Sequence, residues 1–237
     1  MRSLLKSTSV LAVAGLLAAI SAQAGLVFTI EGPGVQQTTV AGATTETFDS
    51  LPLGLMGTYH SSAIGGTYVG GQVAAASQYG GAGGNTRFDV VGLGNTTVQT
   101  LTFDTPQAYF GMWWSAGDPS NELKFYRADS TLLASYVIGD ILPSLSSAYY
   151  GNPNPAFLGQ DATEAFVYLN FTSTDLGSLI GSVEFDNVTT SGFESDNHSV
   201  YGQLITPPGQ ELPDAAASLP LMGGAIAILM FLRRMVR

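Results

Sequence analysis

The sequence predicts an all-β domain, a two-sheet sandwich, set between two apolar chain ends. Three observations carry this reading. Short β-rich runs recur along the chain, Gly, Pro, Asn and Asp separate them, and no convincing amphipathic helix occurs between residues 25 and 205. The runs fall at 26–30, 44–48, 67–69, 87–91, 98–103, 108–114, 122–126, 131–138, 165–171 and 182–188. Their even spacing suits two packed sheets.

Individual runs support the assignment. In 122–126, Leu123 and Phe125 alternate with Glu122 and Lys124, so one face is apolar and the other meets water. The run 108–114 is apolar on both faces, which a central strand requires. Eight glycines between Gly65 and Gly84 are too many for a packed strand and predict a flexible surface loop. A second long connection, 139–163, holds Tyr149, Tyr150, Asn152, Asn154 and Phe157 around two prolines, and a loop of that length in a compact domain is usually functional or disordered.

Charge narrows the partners. Between Gly25 and Pro213 the only basic residues are Arg87, Lys124 and Arg127, against seventeen Asp and Glu, a formal charge of −14. Such a surface repels phosphate backbones, so nucleic acid is excluded and cations are favoured. The chain has no cysteine, so disulfides, thiol catalysis and zinc-thiolate sites are excluded too.

The ends read as targeting segments around one domain at 25–205. Residues 1–24 place Arg2 and Lys6 before an apolar run, 10–20, and close on Ala22-Gln23-Ala24. That order predicts a signal helix cleaved after Ala24, with Ala22 and Ala24 in the peptidase pocket. Residues 206–214 read as a linker with a sorting motif, Pro207-Pro208-Gly209 detaching the apolar tail from the domain. Residues 215–232 are uncharged and precede Arg233 and Arg234. As a helix they span about 27 Å at 1.5 Å per residue, just enough for a thin hydrocarbon core, with arginines anchoring the cytoplasmic side.

Leu212-Pro213-Asp214 ahead of an apolar helix and a basic end resembles the tail of PEP-CTERM proteins, in the form of their Val-Pro-Asp-Ser-Gly variant. The stretch Tyr109-Phe110-Gly111-Met112-Trp113-Trp114-Ser115-Ala116-Gly117-Asp118, and Phe185-Asp186-Asn187-Val188, are similar to segments common in exported proteins of that family. The resemblance implies a jelly-roll β-sandwich of the carbohydrate-binding-module type. It also implies an exosortase-type sorting peptidase as partner, and a destination at the membrane, the cell surface or the extracellular polysaccharide.

Two sites are expected. Asp186, Asn187, Glu194 and Asp196 offer hard oxygen ligands within a short stretch, which suits calcium. The likeness to jelly-roll modules adds Asp49, sharing the ion with Asp186. A glycan platform is the second, with Trp113, Trp114, Tyr149 and Tyr150 as stacking rings and Asn152 and Asn154 as hydrogen-bonding groups. Catalysis has weaker support, since neither His60 nor His198 sits in a zinc-hydrolase pattern and no Gly-x-Ser-x-Gly elbow occurs. The expectation is therefore a non-catalytic surface or matrix protein. A secreted polymer-acting hydrolase is the alternative, because a glycosidase needs only two suitably spaced carboxylates.

Overall fold

The computed structural model describes residues 25–84, 86–92, 96–187 and 191–212. The signal segment with Ala22 and Ala24, Pro213 and Asp214, the apolar stretch 215–232, and Arg233 and Arg234 lie outside them. Among the described residues no helix is long and apolar enough to cross a membrane.

The domain is a sandwich of two antiparallel sheets. Sheet A contains β1 (Leu26–Ile30), β2 (Thr44–Glu46), β3 (Gly54–Leu55), β6 (Gln72–Ala74), β7 (Phe88–Gly92), β9 (Tyr109–Gly117), β12 (Ala165–Ser173) and β14 (Gly192–Tyr201). Its order is β1-β12-β9-β14-β7-β6-β3, with β2 also on β14. Sheet B contains β4 (Thr58–Ser61), β5 (Gly66–Val69), β8 (Val98–Gln107), β10 (Asn121–Tyr126), β11 (Leu132–Val137) and β13 (Ile180–Asn187), ordered β11-β10-β13-β8-β5-β4.

Aromatic side chains join the sheets. Phe110 of β9 meets Phe125 of β10 and Phe185 of β13, with ring centroids 6.1 Å apart in both cases. Phe125 and Phe171 approach to 4.4 Å. The alternation read in β10 holds, with Leu123 and Phe125 buried and the intervening Glu122 and Lys124 half-buried. The two-faced apolar run is β9, buried along its whole length between β12 and β14.

Three expectations are corrected. The glycine-rich stretch is not one flexible loop, because β5 and β6 lie within it. Its glycines serve the turns instead: Gly70 and Gly71, at φ 95° and 76°, carry the chain from sheet B to sheet A in a conformation that L side chains resist. The expected linker does not detach. Gln210 and Ile30 exchange main-chain hydrogen bonds of 2.7 and 3.0 Å, Thr29 Oγ1 donates to the Pro208 carbonyl, and Leu212 packs on the core. The third correction is β14, where the sequence reading places calcium ligands and no strand and the fold has a central strand.

Candidate functional site

Sheet A has two buried faces. Its inner face meets sheet B, and its outer face is covered by the connections 31–43, 75–87 and 138–164. Under them Trp113, Ala116, Phe166 and Tyr168 form a second small apolar cluster with Ala82. Beside it runs a hydrogen-bonded polar layer. Tyr109 Oη donates to Asn170 Oδ1 (2.7 Å), Asn170 Nδ2 to Glu31 Oε1 (3.2 Å), and Tyr168 Oη to Ser199 Oγ (2.9 Å). Gly111 is required here, since a Cβ would run into the rings of Tyr109 and Tyr168.

A cleft of about 450 Å³ opens beside these loops, lined by Gln36, Gln37, Thr47, Asp49, Thr86 and Asn197 together with Gly34, Val35, Ala82 and Gly83. Its floor is shaped by an irregularity in β14. The register with β9 shifts between Asp196 and Ser199, and Asn197 takes a left-handed φ of 51°, which Asn tolerates better than most residues. As a result Asp196 stays on the outer face while His198 turns inward.

Asp196, fully buried, accepts the Ala82 N–H at 2.8 Å and the Asn197 N–H at 2.6 Å, which ties loop 75–87 to the sheet. Burial pushes its carboxyl up to about 8. Asn197 Nδ2 donates to the Gln36 carbonyl (2.6 Å), Gln36 Nε2 to Asn154 Oδ1 (2.7 Å), and the Gly83 N–H to Gln36 Oε1 (2.5 Å). Three loops are thereby laced into one wall.

The opposite wall carries Asp49. Before it, Phe48 holds a left-handed φ of 58°, unusual for a bulky side chain, and its N–H is held by Glu46 Oε1 at 2.8 Å. The Phe48 ring is buried against His198 (centroids 5.0 Å apart), and Asp49, exposed, accepts the Arg87 N–H at 2.8 Å through one oxygen.

The expected stacking platform is not assembled. Trp113 and Trp114 are both fully buried, one in the outer cluster and one in the main core with its indole N–H on Asn121 Oδ1 (2.9 Å). The strand does send them to opposite faces, but both faces are covered. Tyr149 is buried with its hydroxyl on the Glu31 carbonyl, and Tyr150 gives its hydroxyl to the Leu142 carbonyl. Asn152 and Asn154 are buried and donate to the carbonyls of Gln78 (2.8 Å) and Gly81 (2.6 Å). Asn154 supports the cleft wall by accepting from Gln36 Nε2; sequence reasoning missed Gln36, Gln37, Thr47 and Thr86, which line the cleft.

The five expected calcium ligands do not form one oxygen cage. Asp186 lies on the outer face of sheet B, paired with Lys124 at 2.8 Å beside Glu184 and Glu122, and hydrogen bonds to Asp186 and Glu184 hold the Lys124 ammonium well above its usual range. Asn187 is buried and donates to the Val91 carbonyl at 3.2 Å. Glu194 is buried on the outer face of sheet A. Its carboxyl is pushed up to about 8, mainly by burial, with Asp118, Glu164 and Asp161 adding to the shift. Among the described residues no group of three His, Cys, Asp or Glu side chains stands ready to hold a metal.

One pairing resembles catalytic machinery. His198 Nε2 lies 2.9 Å from Ser195 Oγ, yet both are fully buried in the sandwich, and His198 Nδ1 lies 2.9 Å from Tyr68 Oη. Burial lowers this imidazole to about 3, so it stays neutral and stacks on Phe185 at 5.0 Å. It is an internal cross-brace with no access to the cleft. His60, by contrast, is exposed and pairs with Asp104 at 2.9 Å. Neither a protein-family model, nor a curated protein, nor a solved structure matches the chain.

Proposed function

We propose that this chain is an exported surface or matrix protein of the PEP-CTERM type, whose jelly-roll domain is non-catalytic and holds extracellular glycan in the cleft around Asp49. The observation that carries the reading is the cleft's mixed lining, in which the Gln37 amide, the Thr47 hydroxyl and the Asp49 carboxylate stand beside Val35 and Ala82. Such groups suit the hydroxyls of a sugar. The acidic composition and the arrangement of the two chain ends support export, with sorting by an exosortase-type peptidase and the C-terminal segment in the membrane.

A glycan array probed with the full chain tests the reading. Retention of a polysaccharide fragment is expected, weakened roughly tenfold by Asp49→Ala or Gln37→Ala, the loss of one charge-assisted or neutral hydrogen bond. No retained glycan would defeat it. Turnover of chromogenic glycosides that disappears in Asp49→Ala would establish the hydrolase instead. For export, a reporter fused after residue 100 is expected to be active outside the cytosol with residues 1–24 removed; activity confined to the cytosol overturns that part.

A further inference from the structure

The cleft carries a negative charge that no cation answers. Asp49, exposed in its wall, accepts the Arg87 main-chain N–H at 2.8 Å through Oδ1. Among the described residues the Arg87 guanidinium forms no ion pair with it, and no Lys, Arg or His lines the cleft. The neighbouring acids have the same sign. Glu46 is buried and met by neutral donors: the Phe48 N–H (2.8 Å) and the hydroxyls of Tyr59 (2.8 Å) and Ser61 (2.5 Å). Asp196 below the cleft is pushed up to about 8, chiefly by burial and in part by the Asp49 charge. The other bases are engaged elsewhere, Lys124 by carboxylates on the outer face of sheet B and Arg127 by the Gly177 carbonyl.

The rest of the lining decides what can bind. Gln36 is committed to Asn154 and Gly83, Thr86 donates to the Ala82 carbonyl, and Asn197 donates to the Gln36 carbonyl. Among the described residues Gln37 and Thr47 make no side-chain hydrogen bond, so with Asp49 they are the polar groups left for a ligand. No aromatic ring lines the cleft, and Val35 and Ala82 offer only small apolar contacts, so binding there must rest on polar groups. A glycan held in the cleft covers Asp49 and displaces its water. Hydroxyl donors alone would leave the covered carboxylate without a countercharge, which is costly in a partly dry site. An ammonium group supplies three donors and the missing charge, and a hydrogen bond between two ions is stronger than one between neutral groups. A uronate or sulfate brings a second negative charge against Asp49 and is repelled.

We propose that the cleft selects glycan bearing free amino groups, a polymer of deacetylated hexosamine, with Asp49 pairing the ammonium and Gln37 and Thr47 binding adjacent hydroxyls. Uronic and sulfated sugars are rejected. The inference rests on the glycan reading above and adds to it the chemical class of the sugar.

Calorimetric titration of the full chain in mild detergent tests this with short oligosaccharides of glucosamine, N-acetylglucosamine and galacturonate, at mildly acidic pH and about 0.1 M salt. The glucosamine oligomer should bind at least about tenfold more tightly than its N-acetylated form, and galacturonate should not bind. Salt at about 1 M should shrink the preference. Asp49→Asn keeps an acceptor for the Arg87 N–H and should lose the preference. Asp140→Asn removes the same charge from an exposed position in the 3-10 turn Ile138–Ser144 and should retain it. If Asp49→Asn does not fold, Gln37→Lys, at an exposed position, sets a cation in the cleft and should weaken the glucosamine oligomer at least about tenfold. Equal binding of the amino and N-acetylated oligomers overturns the inference and leaves the glycan reading standing. A preference that survives in Asp49→Asn also overturns it, tracing the attraction to the acidic surface at large. Binding of none of the three overturns it as well, and an empty glycan array beside that result removes the glycan reading too.

Discussion

The outer faces of the two sheets are built on opposite plans. On sheet B the outer face carries Glu122, Lys124, Glu184 and Asp186, half-buried and ion-paired at the protein surface. On sheet A the outer face is roofed by three loops, so Trp113, Tyr168, Asn170, Glu194 and Asp196 are as buried as the residues between the sheets. A solvated face can leave its polar groups to water, whereas a roofed face must satisfy each of them from the protein. The cleft exists because that roof is assembled from separate segments which meet imperfectly above β14.

If the roofed face is a true second core, Trp113→Ala should cost as much as Trp114→Ala, about 3–5 kcal/mol each in denaturant unfolding. A much smaller loss for Trp113 would show the roof to be peripheral. Next in size, Asp196→Ala strands the N–H groups of Ala82 and Asn197 and should cost about 2–4 kcal/mol. Faster hydrogen exchange is expected in loop 75–87, and unchanged exchange there would sever the link between the carboxylate and the roof.

The pH response separates the two faces further. Asp89, Asp196 and Glu194, raised to about 8, and Glu164, raised to about 7, hold protons more tightly folded than unfolded. Their contribution is complete below the ordinary carboxylate range and is lost as pH rises through about 7 to 8. His198 acts oppositely: its lowered value supports the fold above about 6.5, and that support is lost as pH falls toward 3. Above about pH 6.5 only the carboxyls titrate, so the chain should melt at lower temperature at pH 9 than at pH 6.5. A rising melting temperature over that interval would refute the burial of these groups. The smallest effect belongs to the solvated face. Lys124→Met should cost about 1 kcal/mol and become milder in high salt.

The contrast also explains which parts were legible. β1 is read with its observed bounds, and β10 betrays its inward residues, because period-two alternation reports one dry face and one wet face. β14 is missed for the complementary reason. In Glu194-Ser195-Asp196-Asn197-His198-Ser199 both faces are polar, so no dry face marks it as a strand. The fold nevertheless buries it, meeting Asp196 with an N–H from a loop 114 positions away. The short β3, β4 and β6 escape notice among glycines that serve as turns rather than as slack.

By itself the sequence determined that the chain is all-β, that it is acidic and free of thiol chemistry, and that most strands lie where apolar and β-branched residues recur. These properties follow from local backbone preference and from the side chains present, which need no knowledge of distant contacts. Only the tertiary structure decided that both tryptophans are buried, that Asn152 and Asn154 brace loops, and that Asp89 and Gln99 are buried between the sheets. Each of those facts depends on which remote segment covers a residue, and burial by a remote segment leaves no local mark in the chain.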